Sequence, residues 1–384
     1  MPVGYQGYSN TDFARSIQTT LAQHIRDEEQ AWMRSFAMGA LLESQGRIIY
    51  NQSGRGFDWP VRYKGHSLEA NNGTTTRNFA PVNLWKNAFL EYRGYQVTDS
   101  YTEKEFRENQ GEEALIRLAD NFISRMEESV KQRLAAEFFV DGNATGNTDR
   151  WHGLESFFGG SQTVTAGTAG ATGRSANAAD IALYPSDTYA GLSTILGNYG
   201  GSGDSALDWP QGQADPEFDF WSPVVLNYTS THALFPSSTN TWAGQADEVM
   251  RYGIITTQRN SMANGQLSNI LLERNLYHNV LNLIDGKEQI NVNRNEPNGL
   301  TALGFKNVVV FDGVEISWDV AVPATVGYGF NPANMELRCM YESIFVSEGP
   351  FYDEHTQRYN AVVKSLSNLR CSSPRNFLKF DDIA

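Results

Sequence analysis

The sequence predicts an α+β fold with a protruding hairpin, one long helix and β-rich units around them. Three observations carry that expectation. Residues 112–139 hold an uninterrupted 3.6-residue apolar stripe. Residues 53–100 hold two β-like runs separated by a long polar tip. The last third of the chain holds short strand-like runs, two of them joined at Asp312-Gly313. At 384 residues the chain has room for two or three structural units and needs no covalent staples to bury a core. With 40% apolar and 19% charged residues, it has the composition of a globular chain rather than a disordered one.

The first element is an N-terminal arm and helix over residues 1–52. Ser9 to Asp12 supply N-cap oxygens, and Ala14, Ile17, Leu21, Ile25 and Trp32 recur close to three- and four-residue steps. Phe36, Leu41 and Leu42 extend that stripe, with room for one break. The stretch 53–100 follows. Phe57-Asp58-Trp59-Pro60-Val61-Arg62-Tyr63-Lys64 alternates like a strand, and a polar tip runs from His66 to Asn78. A second run from Ala88 to Thr98 carries Phe89, Tyr92, Tyr95 and Val97. An isolated two-stranded hairpin is marginal in water, so this one requires a surface to lie on, in its own subunit or another.

The long helix is the strongest local signal. Thr102 and Glu105 fit a capping box. Leu115, Leu118, Phe122, Ile123, Met126, Val130, Leu134 and Phe138 then form one stripe, with charged residues on the other faces. From Glu112 to Phe139 the helix would span about 40 Å, a length suited to a domain spine. Its expected core contacts are Leu118, Phe122, Met126, Val130 and Leu134. Residues 177–332 read as a mixed unit, with helices over Ser186–Leu196, Ala243–Arg251 and Leu276–Leu283. Strands are expected over Ile270–Leu272, Asn307–Phe311 and Val314–Asp319, the last two joined by the tight turn Asp312-Gly313. Strands over Met335–Val346 and Tyr359–Leu369 would form a sheet beside the spine.

Many functional classes find no support. There is no phosphate-binding loop, dinucleotide fingerprint, nucleophile elbow or His-Glu-x-x-His pair. The six histidines lie far apart. Asp141-x-Asn143-x-Thr145-Gly146 resembles half a calcium loop, but His152 stands where a bidentate Glu is needed, so it reads as a helix stop and turn. Cys339 and Cys371, in the final strands, could be cross-strand neighbours and are expected to be free, buried thiols. Catalytic, cofactor and metal residues are therefore all expected to be absent. The formal charge is −14, from 30 basic and 44 acidic residues. Residues 175–250 contain no Lys or Arg. Such a chain is ill-suited to hold DNA by charge. Trp85, Trp151, Trp209, Trp221 and Trp242 do not sit in basic clusters and read as core or interface anchors. No apolar run is long enough to span a membrane and no secretory leader is visible, which points to a soluble, cytosol-made protein.

The order of these elements resembles the major capsid proteins of tailed phages, with the Hong Kong 97-type fold. So does the local wording Trp151-His152-Gly153-Leu154-Glu155-Ser156-Phe157-Phe158 after the spine, and Tyr184-Pro185-Ser186-Asp187-Thr188-Tyr189-Ala190-Gly191-Leu192. The resemblance implies an N-arm over 1–52, an extended E-loop over 53–100, and a peripheral P-domain from 101–176 and 333–384 with spine helix 112–139. It implies an axial A-domain over 177–332. Phe57, Trp59, Tyr63, Lys64, Arg77, Phe89, Tyr92 and Tyr95 then become candidates for contact between subunits. The implied role is a structural protein, not an enzyme, that self-assembles through hexamers and pentamers into an icosahedral shell around double-stranded DNA, without sequence-specific binding. Scaffolding and portal proteins, and a cement protein, are the implied partners. The virion is the implied location, after synthesis in the host bacterial cytoplasm. Some relatives carry a long scaffolding extension that is removed after assembly. Here 52 residues precede the E-loop, which fits either a separate scaffolding protein or a processed form. Relatives with a Lys–Asn crosslink make Lys64 a candidate donor and Asn360 a candidate acceptor. An encapsulin-like compartment, or a hydrolase or carbohydrate-binding protein without a recognisable motif, are the alternative readings.

Overall fold

The computed structural model describes residues 33–62, 73, 85–104, 129, 133–158, 182–183, 188–194, 221, 223–229, 241–258, 266–285 and 308–382. Among these, the strands are β1 (Ile48–Ile49), β2 (Gly56–Arg62), β3 (Trp85–Glu91), β4 (Arg93–Thr102), β5 (Ala182–Leu183), β6 (Thr188–Tyr189), β7 (Leu192–Ser193) and β8 (Val224–Asn227). They continue with β9 (Asn269–Leu272), β10 (Val309–Phe311), β11 (Val314–Trp318), β12 (Gly327–Phe330), β13 (Met335–Cys339), β14 (Val346–Asp353), β15 (Arg358–Cys371) and β16 (Leu378–Asp381). Three helices accompany them: α1 (Ala37–Ser44), α2 (Trp242–Thr257) and α3 (Arg274–Asp285). No helix among the described residues is long and apolar enough to cross a membrane.

Two sheets organise the chain. The 14-residue β15 is the axis of the first. One edge of β15 pairs antiparallel with β4, from Arg358↔Thr102 to Ser367↔Arg93. Its other edge is shared between β14 and β13, and β1 adds in parallel beside β13. Burial along β15 alternates strictly over most of its length, the signature of a sheet with one covered face. The second sheet has seven strands in the order β10-β11-β9-β12-β16-β8-β5. Its central strands β8, β9, β12 and β16 are buried at every position, because both faces are covered. Leu378, Phe380, Leu226, Ile270 and Leu272 face α2 and α3. Tyr328, Val225 and Leu271 turn the other way and join the core of the five-stranded sheet. The close approach of α2 is permitted by Gly253, where an added Cβ would sit 2.7 Å from Leu378 Cδ2.

Several expectations hold. Strands β9, β10 and β11 and helices α2 and α3 lie where the patterns place them, and Asp312 and Gly313 both take positive φ (48° and 84°) as the tight turn requires. Others need correction. Within the helix expected over Ser186–Leu196, the described residues 188–193 form a small hairpin, β6–β7, turning at Ala190 and Gly191 with φ of 53° and 79°. The single run Ala88–Thr98 is two strands: β3 pairs with β2, and after Tyr92 the chain changes sheets to enter β4. The strand expected over Met335–Val346 is interrupted between β13 and β14. Cys339 and Cys371 are buried and free but not cross-strand neighbours, facing Ser367 and Met335 respectively. A further strand, β16, follows the expected ones. It pairs with β12 and in parallel with β8 in the seven-stranded sheet.

The spine falls mostly outside the described residues, as do Leu118, Phe122, Met126 and Val130. Residues 133–137 are helical and a turn follows at 138–139. Leu134 and Phe138 are buried in the core of the five-stranded unit. The arm up to residue 32 lies outside the described residues too. Helix α1 lacks a cap from its own N-cap residue, Phe36. Asp319, 282 positions away, accepts a 2.9 Å bond from the Ala37 amide instead. That contact ties the first described helix to the end of β11.

Candidate assembly surface

The hairpin β2–β3 pairs from Gly56↔Glu91 to Arg62↔Trp85, and its two faces differ. Phe57, Trp59 and Val61 on β2 and Ala88 and Leu90 on β3 point inward and are buried. Asp58, Pro60 and Arg62 point outward opposite Phe89, Asn87 and Trp85. A period of two sends successive side chains to opposite faces, so one strand supplies both.

The inner face lies on the five-stranded sheet of its own chain. The Arg338 guanidinium sits 5.2 Å from the Phe57 ring centroid and that of Arg370 sits 4.8 Å from Trp59. The Trp59 indole donates to the Ser372 carbonyl at 3.3 Å and packs against Trp221. Both arginines are held by one carboxylate. Glu336 accepts from Arg338 at 3.0 Å and from Arg370 at 2.7 Å, and Arg47 lies 3.9 Å away. Glu336 and Arg370 are directly opposite in the β13–β15 ladder, so the sheet register sets this cluster.

The root of the hairpin is pinned by a buried polar network. Asn368 on β15 donates to the Glu91 carbonyl at 2.7 Å and meets His152 Nδ1 at 2.9 Å, while its oxygen accepts from the His152 amide at 2.9 Å. Burial, reinforced by the positive charge of Arg93, pushes the His152 imidazole down to about 3, so it is neutral at physiological pH. Arg93, the first residue of β4, donates to the carbonyls of Gly142, Asn147 and Arg150 and so gathers the loop after the spine. Tyr95, two residues on, donates to Glu137 at 2.6 Å, and Arg150 forks onto the same carboxylate. An open groove of about 450 Å³ lies beside this root, lined by Phe89, Glu91, Arg93, Asn143, His152 and Thr188 among others. Among the described residues, no three His, Cys, Asp or Glu side chains converge as metal ligands.

The candidate contact residues therefore divide. Phe57 and Trp59, each 5% exposed, serve their own core. Tyr92 packs edge-on to Phe57, and Tyr95 is engaged with Glu137 and the Trp151 amide. All four are thus engaged by partners in their own chain. Phe89, 43% exposed, is on the outer face. Tyr63, Lys64 and Arg77 lie outside the described residues. Asn360 is half-buried in β15, opposite Ser100 and Phe351. Sequence reasoning left Trp85 unassigned between core and interface, but it is 53% exposed and on the same face as Phe89. Its parity, four residues before Phe89, was the available signal. The arginines beneath Phe57 and Trp59 carried no such signal. Outside the hairpin, Phe351 and Tyr352 on β14 are also exposed.

No protein-family model matches the sequence, and no curated protein is similar to it. Solved structures do match. The capsid asymmetric unit of cyanophage A-1(L) aligns over 100% of this chain and 97% of its own, at 15% identity and a TM-score of 0.53. The capsid of Myoviridae phage XM1 aligns over 89% and 92%, at 12% identity and a TM-score of 0.47. The hairpin, the two sheets and the return of the chain between them, matched end to end by the first of these structures, are the Hong Kong 97-type capsid fold.

Proposed function

We propose that this chain is a major capsid protein, which self-assembles into the icosahedral head shell of a tailed phage and encloses its genome. The observation that carries this reading is the end-to-end likeness to the cyanophage A-1(L) capsid subunit. The two-faced hairpin adds to it. Its inner face is bound to its own sheet, and Trp85, Pro60 and Phe89 on its outer face form an apolar strip suited to a neighbouring copy. The role is structural rather than enzymatic. In this reading residues 1–52 are the arm and 53–100 the E-loop. The P-domain takes 101–176 and 333–384 with spine 112–139, and the A-domain takes 177–332. Hexamers and pentamers are the building units, scaffolding and portal proteins the partners, and the virion the destination. A net charge of −14 fits a wall that encloses duplex DNA without gripping it.

Expression of the full chain, alone and with the neighbouring phage structural genes, followed by negative-stain imaging, tests the proposal. Closed shells hundreds of ångströms across are expected, a scale on the order of many standard interfaces joined by symmetry. A product that stays monomeric or dimeric under every scaffold and salt condition would overturn it.

A further inference from the structure

The two sheets meet through a buried charged group. Glu155 stands on the short turn Leu154–Phe157, which belongs firmly to the five-stranded unit. The Leu154 amide donates to the Phe138 carbonyl at 2.8 Å. Gly153 is wedged so tightly that an added Cβ would lie 2.6 Å from the Val140 nitrogen. Across the boundary, Tyr328 on β12 and Lys379 on β16 are register partners and point the same way. Tyr328 donates to Glu155 Oε2 at 2.6 Å. The Lys379 ammonium, 3% exposed, bonds the other oxygen of Glu155 and lies 2.8 Å from Asp381. Burial alone would push the lysine down, but the two carboxylates outweigh it and its affinity for the proton rises.

The surroundings are aromatic: Tyr328 stacks on Phe139 at 5.4 Å and packs near Phe158 at 5.9 Å. Burial of such rings is mostly non-directional, and their geometric preference is small, so these contacts tolerate sliding. A buried ion pair is a poor source of net stability, since apolar residues of similar volume often do as well, but it demands one geometry. We propose that Glu155, Lys379, Asp381 and Tyr328 form an orientation latch, which fixes the angle between the seven-stranded and five-stranded units rather than holding them together. The latch acts within one subunit, so it stands whether or not the chain forms shells.

The test separates orientation from stability. Spin labels are placed on Ile255→Cys in α2 and Phe351→Cys in β14, two exposed positions, while native Cys339 and Cys371 are buried. The labelled full-length chain is diluted into unlabelled protein so that only distances within one subunit are read. A narrow distance distribution is expected in the parent. The combined variant Glu155→Leu, Lys379→Met, Asp381→Asn and Tyr328→Phe should keep the urea midpoint and at least double the width of the distribution. Glu155→Gln alone, which preserves size and an acceptor for Tyr328, should broaden it to a smaller degree. Unchanged widths in both variants would overturn the latch. So would a fall in the urea midpoint of Glu155→Gln with the width unchanged, because the group would then be a stabiliser only.

Discussion

The two faces of the β2–β3 hairpin are built from the same residue classes and do opposite work. Inward, Phe57 and Trp59 are covered by Arg338, Arg370 and Trp221 of their own chain. Outward, Trp85 and Phe89 are left half-open to solvent. Aromatic content on a strand therefore does not by itself announce an interface. The inner face is packed on its own sheet, while the outer face keeps its two rings about half exposed. Stability and assembly should separate along this line, and each variant below either breaks that separation or sharpens it.

The largest effect belongs to the inner face. Trp59→Ala removes a buried ring, the stack under Arg370 and the bond to Ser372, and should cost the subunit about 3–5 kcal/mol in urea unfolding. A cost below about 1 kcal/mol would mean that the hairpin is not docked on its own sheet.

The next effect is a pH dependence. His152, buried beneath the hairpin root, has its folded pKa depressed from 6.5 to about 3. Below 6.5 the unfolded chain takes up a proton that the folded chain refuses. Stability should therefore fall as pH drops, by about 1.4 kcal/mol per unit between about 6.5 and 3 from this group alone. Urea midpoints from pH 7 to 5 should show the slope, and His152→Gln should flatten it. An equal slope in the variant would assign the dependence to other groups.

Arg370→Leu should cost less, about 1–2 kcal/mol, because Glu336 keeps Arg338 when Arg370 is gone. A double-mutant cycle with Trp59→Leu should return a coupling of about 0.5–1 kcal/mol for the stack. Arg370→Lys should not restore it, since an ammonium lacks the flat face that lies on the indole.

These contacts also mark how far the sequence could be read. The spine stripe, the Asp312-Gly313 turn and the alternation of β2 are local patterns, and local patterns gave the α+β class and the order of elements. The docking of Trp59 on Ser372 joins residues 313 positions apart, and no periodicity encodes it. Ala190 misled for another reason. A turn with positive φ at both central residues usually advertises itself with Asn or Gly, whereas an Ala before Gly191 reads as helix. Tertiary packing supplies what the turn residue lacks, since Ala190 and Tyr189 are both buried in the core. The latch around Glu155 was invisible for a third reason: Lys379 and Asp381 look like the alternate, solvated positions of an edge strand, and only the pairing of β16 between β12 and β8 buries them. The family resemblance reached the right fold because it depends on the order of elements, which is less sensitive to such errors than any one residue assignment.

The smallest effect on the subunit should come from the outer face, where the comparison is decided. Trp85→Ser and Phe89→Ser remove side chains that are 53% and 43% exposed. Substitutions at such positions change stability by about 0.5 kcal/mol or less, and Arg55→Ala, which breaks an open ion pair to Glu91, belongs with them. Backbone pairing is unaffected, because neither change alters the register with Asp58 and Arg62 or the main-chain bond from the Phe89 amide to the Ala190 carbonyl. If the outer strip is the part of the hairpin that meets a second copy, Trp85→Ser/Phe89→Ser should leave urea midpoint and helix content at parental values. The yield of closed shells should fall at least tenfold, since losing two aromatic anchors from a repeated interface costs on the order of 2 kcal/mol or more per contact. Light scattering of parent and variant at matched concentration measures it. Parental shell yield would move the contact to another surface, for which the exposed Phe351 and Tyr352 on β14 are the next residues to change. A large loss of subunit stability in the same variant would instead mean that the outer strip is part of the core, and the division between the two faces would fail.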